Sequence, residues 1–272
     1  MRSSAALPQL PAQPRWLESR RVLTLILLGA LVLSLFAVDW SSGVLHPRGL
    51  AAIGDIFGAA FRPELSLELA GKAITSAWRT VAYAVAGLTV ALAIGMPLGA
   101  VASGTLTGSR TASAINVGLV RGLLAFFRSI HELVWALVFV AALGLSPIAA
   151  VLALGIPYGG MLGRIYAELL QDVPQPPLES LRRAGASEWR VFWYGRLPMA
   201  LPDMLSYTFY RLECGIRSAA ILSWVGLGGL GFQIQIALAD LAYGRAWTFL
   251  WALVILVLLV DQWSTQVRRR LA

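Results

Sequence analysis

The run LTLILLGALVLSLFAV, residues 23–38, carries no charge, and five further apolar stretches follow it. About 20 mostly apolar residues are what crosses the ~30 Å hydrocarbon core of a bilayer as a helix. Lipid offers no hydrogen-bond partner to a bare peptide group, so a chain built from such runs is confined to helices. Six spans are read, at roughly 22–38, 77–103, 114–143, 147–170, 200–225 and 246–266. The predicted fold class is all-α integral membrane. Composition agrees: 58% of residues are hydrophobic and 13% charged, whereas soluble domains are about half apolar and a quarter charged. The first run follows Arg15, Arg20 and Arg21 and could pass for a signal peptide. No clean small-residue cleavage site follows it, so it is read as a retained helix.

The net charge of +8 is almost wholly arginine, since Lys72 is the only lysine. In a soluble protein this would suggest nucleic acid; here it reflects the positive-inside bias of cytoplasmic loops. With the N-terminus in the cytoplasm, Arg2, Arg15, Arg20, Arg21, Arg110, Arg182, Arg183, Arg190, Arg196 and Arg268–Arg270 all fall inside. Outside lie Arg48, Arg62 and Lys72, offset by Asp55, Glu64 and Glu68. The predicted topology is N-in/C-in. It divides the chain into a cytoplasmic tail at 1–21, a first transmembrane helix at 22–40, a periplasmic connector at 41–76 and a five-helix core at 77–272. A cytoplasmic loop lies within that core at 171–199. The connector reads as a surface segment with amphipathic character, and the tryptophans, Trp16, Trp40, Trp247 and Trp263 among them, as interface anchors.

Several chemistries are absent from the sequence. Cys214 is the single cysteine, which leaves no internal disulfide and no thiolate cluster. His46 and His131 are the only histidines, and nothing has metal-ligand spacing. No GxxxxGK[ST] occurs, so the chain has no P-loop for ATP. An intramembrane enzyme would need Cys214 or His131 as its catalytic group, and neither has a base or metal set beside it.

The loop LESLRRAGASEWRVFWYGRLP, residues 178–198, is charged and cut by glycine between two apolar runs. It has the grammar of two short helices. Pro177 fits a first helical position, Glu179 a first turn, and Arg182 and Arg183 a last turn. Gly185 supplies a left-handed stop, flanked by the small Ala184 and Ala186. Ser187 caps a second helix that Gly195 ends before Leu197 and Pro198. The expected object is a rigid bent elbow for seating in another protein; a loop without a partner is the alternative. Its spacing of Glu179, five residues, Gly185, nine residues, Gly195, one residue, Leu197-Pro198 resembles the EAA loop of ABC importer permeases. Ser180 and Leu181 stand where that family has alanines, and Gly195 where it has an aliphatic residue. The resemblance implies that Glu179, Arg182, Ala184, Gly185, Ala186, Leu197 and Pro198 form the contact with a separate ATPase.

Two more stretches, FRSIHELVWALVFVAALG at 127–144 and YRLECGIRSAAILSWVGLGGLG at 210–231, are similar to the permease subunits of phosphonate importers. His131 replaces a usual proline, so the kink a proline would impose has no such cause here. Cys214 and Gly215 replace an aliphatic residue and an asparagine. Read by themselves, these stretches place charge inside the membrane, where it pairs or faces a cavity. Arg128 and Glu132 are spaced to pair at i,i+4, as are Glu213 and Arg217. Tyr207, Tyr210, Arg211, Cys214, Arg217 and Ser218 lie along one helical face. Arg128, His131, Glu132, Tyr210, Arg211, Glu213 and Arg217 are therefore the candidates for a translocation path or gate, with structural pairing as the alternative. The excess of guanidinium suits an oxyanion. VGLGGLG, residues 225–231, reads as a turn into a short helix over 232–239.

The resemblance implies a methionine-importer-like core and a permease subunit that moves phosphonate, phosphite or a phosphate-like oxyanion across the bacterial inner membrane. It also implies a homodimer, a partner ABC ATPase that holds ATP and Mg, a periplasmic substrate-binding protein, and no chemistry or cofactor in this chain. The alternatives are an importer of methionine, sulfonate or another small solute, and a proton-driven transporter using His131 and Glu132, for which inverted repeats would be expected.

Overall fold

A computed structural model describes residues 20–37, 47–106 and 110–271. Among these, every regular element is helical. Most of the tail expected at 1–21 lies outside them, as do Trp16, Trp40 and His46. The chain divides into two units, residues 1–54 and 55–272. In the first, α1 (Arg20–Ala37) is an 18-residue helix with no acidic residue in its first turn. Its apolar part, Val22–Ala37, is shorter than the helices long enough to cross a membrane by themselves. A second helix, α2 (Pro47–Ala59), spans the boundary between the units.

Within the larger unit, α3 (Leu67–Ala102) starts ten residues before the expected Ala77, because Ser66 caps it by accepting from the Leu69 N–H at 3.2 Å. Its 36 residues run through Pro97 unbroken. At 1.5 Å per residue that is about 54 Å, longer than the hydrocarbon is thick. α4 (Arg110–Ser129) and α5 (Glu132–Leu143) meet at 86°. The break falls where a proline is missing. His131 makes it instead: its backbone is extended, and its Nδ1 accepts from the Leu133 N–H at 3.2 Å, capping α5. α6 (Pro147–Gln171) follows, capped by Ser146 with Pro147 in its first turn. After the elbow come α9 (Leu197–Leu222), α10 (Leu230–Ala239) and α11 (Tyr243–Leu271). Three helices, α3, α6 and α11, are each long and apolar enough to span alone, and five spans result if the α4–α5 pair and the 45° pair ending in α10 each count as one.

α6 is the hub, packed against α3, α4, α5 and α9. Its contact with α3 is set by glycine. Gly155, Gly159 and Gly163 recur every four residues on α6, and a Cβ on Gly155 would lie 2.7 Å from Val90 and one on Gly159 2.9 Å from Ile94. On α3, a Cβ at Gly95 would meet Leu162 at 2.9 Å, and one at Gly99 would meet the Gly163 carbonyl at 2.8 Å. Between apolar helices in lipid there is no water to expel, so close backbone approach is what holds them. The stripe on α6 escaped the sequence reading.

The segment after α9 is pinned. Gly226, Gly228 and Gly229 all have positive φ, which glycine alone adopts freely. Tyr83 Oη donates to the Leu227 carbonyl at 2.9 Å, and the Leu230 N–H donates to buried Thr80 Oγ1 at 3.1 Å, so α3 holds this turn in place. Its helix begins two residues before the expected 232. Trp247 and Trp251 donate their indole N–H groups to the Ile56 and Ala60 carbonyls and so tie the connector to α11. Trp263 packs edge-on against Phe209 of α9.

Replacing Gly159 by Val should strain the α3–α6 contact by roughly 1–3 kcal/mol. The detergent-solubilised protein should then melt at a clearly lower temperature. Gly118→Val, where no atom lies within 4 Å of the new Cβ, should leave the melting midpoint unchanged.

Candidate functional site

The residues singled out in the sequence fall into two groups, one on a protruding elbow and one inside the bundle. The elbow is built from α7 (Gln175–Arg183) and α8 (Glu188–Val191). α7 starts at Gln175, two residues before the expected Pro177, with Pro176 and Pro177 in a first turn whose N–H groups have no helical acceptor. Glu179 therefore lies beyond the first turn. Arg182 and Arg183 occupy the last turn, as read. Gly185 has φ +86°. Its N–H donates to the Arg182 carbonyl at 2.9 Å, and the Ala186 N–H reaches the Leu181 carbonyl at 3.1 Å. These are the paired bonds of a Schellman stop. Ala184 is the C-cap residue and is exposed.

Ser187 occupies the N-cap position of α8, but its hydroxyl makes no capping bond. The expected stop at Gly195 is not there. Phe192–Arg196 forms a π-helical turn that runs directly into α9, so the segment from Glu188 to Leu222 is continuously helical. Gly195 serves packing instead: a Cβ there would lie 2.8 Å from both Leu178 and Leu181, so its bareness lets α7 seat against the turn. Leu178 is fully buried in that seat, in one cluster with Val191 and Phe192.

Two arginines stiffen the base. Arg182 grips Glu188 with both ends of its fork, Nε to Oε1 at 2.8 Å and Nη2 to Oε2 at 3.2 Å, across the bend between the helices. That bond holds the Arg182 guanidinium above its ordinary pKa. Arg196, counted in the sequence among the cytoplasmic arginines, is 5% exposed and donates Nη1 to the Leu170 carbonyl in the last turn of α6. A cation there meets the negative end of the helix. The outer face stays open. Glu179 and Arg183, loosely paired at 3.7 Å, are 56% and 84% exposed, and Trp189 and Arg190 of α8 are exposed as well. Leu197 is half-buried and Pro198 exposed at the start of α9.

Inside the bundle, the spacing-based pair of Arg128 and Glu132 does not form. The chain breaks between them, so Arg128 ends α4 while Glu132 begins α5. Glu132 accepts instead from Ser218 Oγ of α9 at 2.7 Å, with His131 Nε2 at 3.7 Å from its other oxygen. Ser218 in turn accepts from Tyr158 Oη of α6 at 3.0 Å. The Tyr158 ring faces Arg211, whose Cζ also lies within 5.3 Å of the Tyr207 ring centre and 5.8 Å of that of Tyr210. Arg211 Nε and Nη2 both donate to Tyr207 Oη, at 2.9 and 2.8 Å. The result is a polar chain Glu132–Ser218–Tyr158–Arg211–Tyr207 linking α5, α6 and α9. Tyr158 and Ser218 were outside the candidate set; the contact of Tyr158 is made across 60 residues of sequence, which no local pattern reports. Arg211 is held by aromatic faces and a phenol, with no carboxylate in ion-pair range among the described residues. Five N–H donors on a guanidinium and two used leave donors for an incoming anion. The Glu213–Arg217 pair does form, at 2.5 Å, and Arg268 of α11 joins it at 3.9 Å.

The chain is similar to known proteins in sequence and in fold. Residues 95–272 fit the family model described as binding-protein-dependent transport system inner membrane component. PtxC, a phosphite transport system permease protein of Stutzerimonas stutzeri, is 30% identical over 244 residues, which cover 90% of this chain and 86% of that one. HtxE of the same organism, named for phosphite transport, is 38% identical over 151 residues, 56% of this chain and 58% of that one. Among solved structures, the inward-facing MetNI methionine ABC transporter aligns with a TM-score of 0.66 at 24% identity, over 76% of this chain and all of that one; that likeness concerns the fold. The chain is an integral membrane transport permease, and it belongs to the binding-protein-dependent inner membrane component family, among the ABC importer permeases that include those for phosphite and phosphonate.

Proposed function

We propose that this chain is the membrane-spanning subunit of an ATP-driven importer for a small phosphorus oxyanion, phosphite or phosphonate, in a bacterial inner membrane. Two copies would form the pore. A separate pair of ATPase subunits would hold ATP and Mg and carry out hydrolysis, and a periplasmic binding protein would deliver the solute. The chain itself would catalyse no reaction. The single observation that supports this best is the continuous helix from Glu188 to Leu222. One end carries the exposed elbow, and the same rod carries Arg211, Glu213 and Arg217. Displacing the elbow would shift the guanidinium that faces the polar chain, with the Arg182–Glu188 fork keeping the handle stiff. Arg211 suits an oxyanion because its fork matches two oxygens at once, and the phosphite transport for which the relatives are named supports a phosphorus oxyanion. The solute would meet Arg211 in transit, since the binding protein supplies the affinity.

Glu179→Lys should reduce ATP-dependent phosphite or phosphonate uptake to background while the protein still inserts and accumulates in the membrane. Uptake by that variant at the wild-type rate, or uptake in cells without any ATPase partner, would remove the docking role. Uptake confined to methionine or a sulfonate would move the assignment to another solute.

Loosening the handle should act differently. Arg182→Gln and Glu188→Gln should each weaken the elbow by about 0.5 kcal/mol, the scale of a half-exposed ion pair, and the double variant should be no worse than either single one. Faster amide exchange across 178–190, with a lower ratio of solute moved to ATP hydrolysed, is the expected outcome.

A further inference from the structure

One cavity is separate from the polar chain. It has a volume of about 320 Å³ and lies between α4, α6 and the end of α3, at the end of the bundle that bears the elbow. Three arginines line it: Arg121 and Arg128 from α4, and Arg164 from α6. Arg121 and Arg128 are seven residues apart, so they sit on one face of α4, about 10 Å from each other along its axis. Arg164, Glu168 and Gln171 form the opposing rail on α6.

Two of the three arginines are held in place by partners that do not neutralise the site. Arg121 Nε donates to the Ala102 carbonyl at 3.0 Å, which points its remaining N–H groups elsewhere. Gln171 Nε2 is likewise tied to the Ser103 carbonyl at 2.8 Å. Arg164 shares Glu168 at 2.8 Å. Arg128 has no hydrogen-bond or ion-pair partner among the described residues. Three guanidinium groups face a single carboxylate, which leaves two positive charges. The helices cannot close over the gap to bury it: they already touch at Gly160, where a Cβ would lie 2.8 Å from the Leu124 carbonyl, and at Gly163, where one would lie 2.7 Å from the Leu124 side chain. A cavity needs only about 10–15 Å³ to admit one water, so this one has room for a polyatomic anion with part of its hydration shell.

Position adds a second argument. Arg121 is level with the end of α3, and Arg128 lies two turns deeper on α4. An unpaired guanidinium at that depth is costly unless a counter-charge or water meets it. Basic pockets between membrane helices at a cytoplasmic face are suited to phosphate groups, and arginine forks bind phosphate oxygens in pairs.

We propose that Arg121, Arg128 and Arg164 form a binding site for a phosphate-type oxyanion, distinct from the Arg211 chain and independent of whether the protein transports phosphite or phosphonate. Two sources share this chemistry: a free inorganic oxyanion and the phosphodiester of an anionic lipid. Arg121 and Arg128 would bind the ligand directly, with Arg164 divided between it and Glu168.

The test is site-resolved arginine modification of the full chain in nanodiscs. Phenylglyoxal reacts with guanidinium groups, and mass spectrometry reads the extent at each one. In phosphatidylcholine alone, inorganic phosphate is compared with chloride at equal ionic strength; separately, phosphatidylglycerol is mixed into the disc. Protection of Arg121 and Arg128 by about tenfold, the effect of a paired charge-assisted contact, with Arg183 unprotected, is the expected result. Protection by phosphate assigns the site to a free oxyanion, and protection by phosphatidylglycerol assigns it to a headgroup. Equal modification of both arginines under all conditions overturns the proposal. The measurement uses the unaltered protein, so it does not depend on any variant folding. Native mass spectrometry of R121Q/R128Q should then show about tenfold less of the protecting ligand bound; undiminished binding overturns the proposal as well.

Discussion

The contact between α3 and α6 governs everything built around it. Two helices in lipid gain nothing by shedding water, so they hold together only where their backbones come close enough for dispersion and weak polar contacts to add up. Glycines on both sides provide that approach, with Gly155, Gly159 and Gly163 facing Val90, Ile94 and Gly95, and Gly99 set against Gly163. α6 can then serve as a post. Its other flanks receive α4 through Gly160, α5 through the small Ala149, Ala150 and Ala153, and α9 through Tyr158 and Tyr166. Tyr166 reaches Thr208, the residue after Tyr207, at 2.5 Å. The polar chain therefore hangs on a helix whose position is already fixed by glycine.

The cost of placing polar groups in such a bundle is met locally. Each member of the chain from Glu132 to Tyr207 has a partner at hydrogen-bond or ring-contact distance. Those partners sit on three helices, one of which continues into the elbow. The π-helical turn at Phe192–Arg196 is part of this design. A π turn widens the helix and changes the direction in which later side chains point, and here it lets α7 settle onto Gly195 while α9 carries on as one rod. Arg196, the buried last residue of that turn, holds the base of the rod to the Leu170 carbonyl of α6.

Much of this was visible in the sequence because it is local. The apolar runs announce helices, since lipid leaves no other choice. Gly185 announces a stop, since a left-handed residue after two arginines is a helix end. The glycines of 225–231 announce a turn, which proved to be fastened to Thr80 and Tyr83. What was missed is long-range or depends on exact geometry. Arg128 and Glu132 were spaced to pair on a helix, but the helix breaks between them and Ser218 takes Glu132. The loss of proline at 131 seemed to remove the cause of a kink, yet an imidazole nitrogen can cap α5 as well as a ring can block a helix. Gly195 read as a terminator because glycine ends helices more often than it seats a neighbour. The Arg182–Glu188 fork joins two elements that are each too short to reveal a partner by periodicity.

The elbow was expected as a rigid bent pair of helices, and the structure seats one side of that pair on its own chain. Its apolar face, with Leu178 at the centre, is folded onto its own chain; its charged face, with Glu179, Arg183, Trp189 and Arg190, is left open. That division is what the proposed coupling to an ATPase would require. A fully free loop would bend under load and absorb the motion imposed on it. A fully buried one would offer nothing to push against. Burying Leu178 under the π turn while leaving Glu179 in solvent places the packed seat and the exposed face on adjacent residues of one helix, so in the proposed coupling a push on the second would reach the first and from there α9.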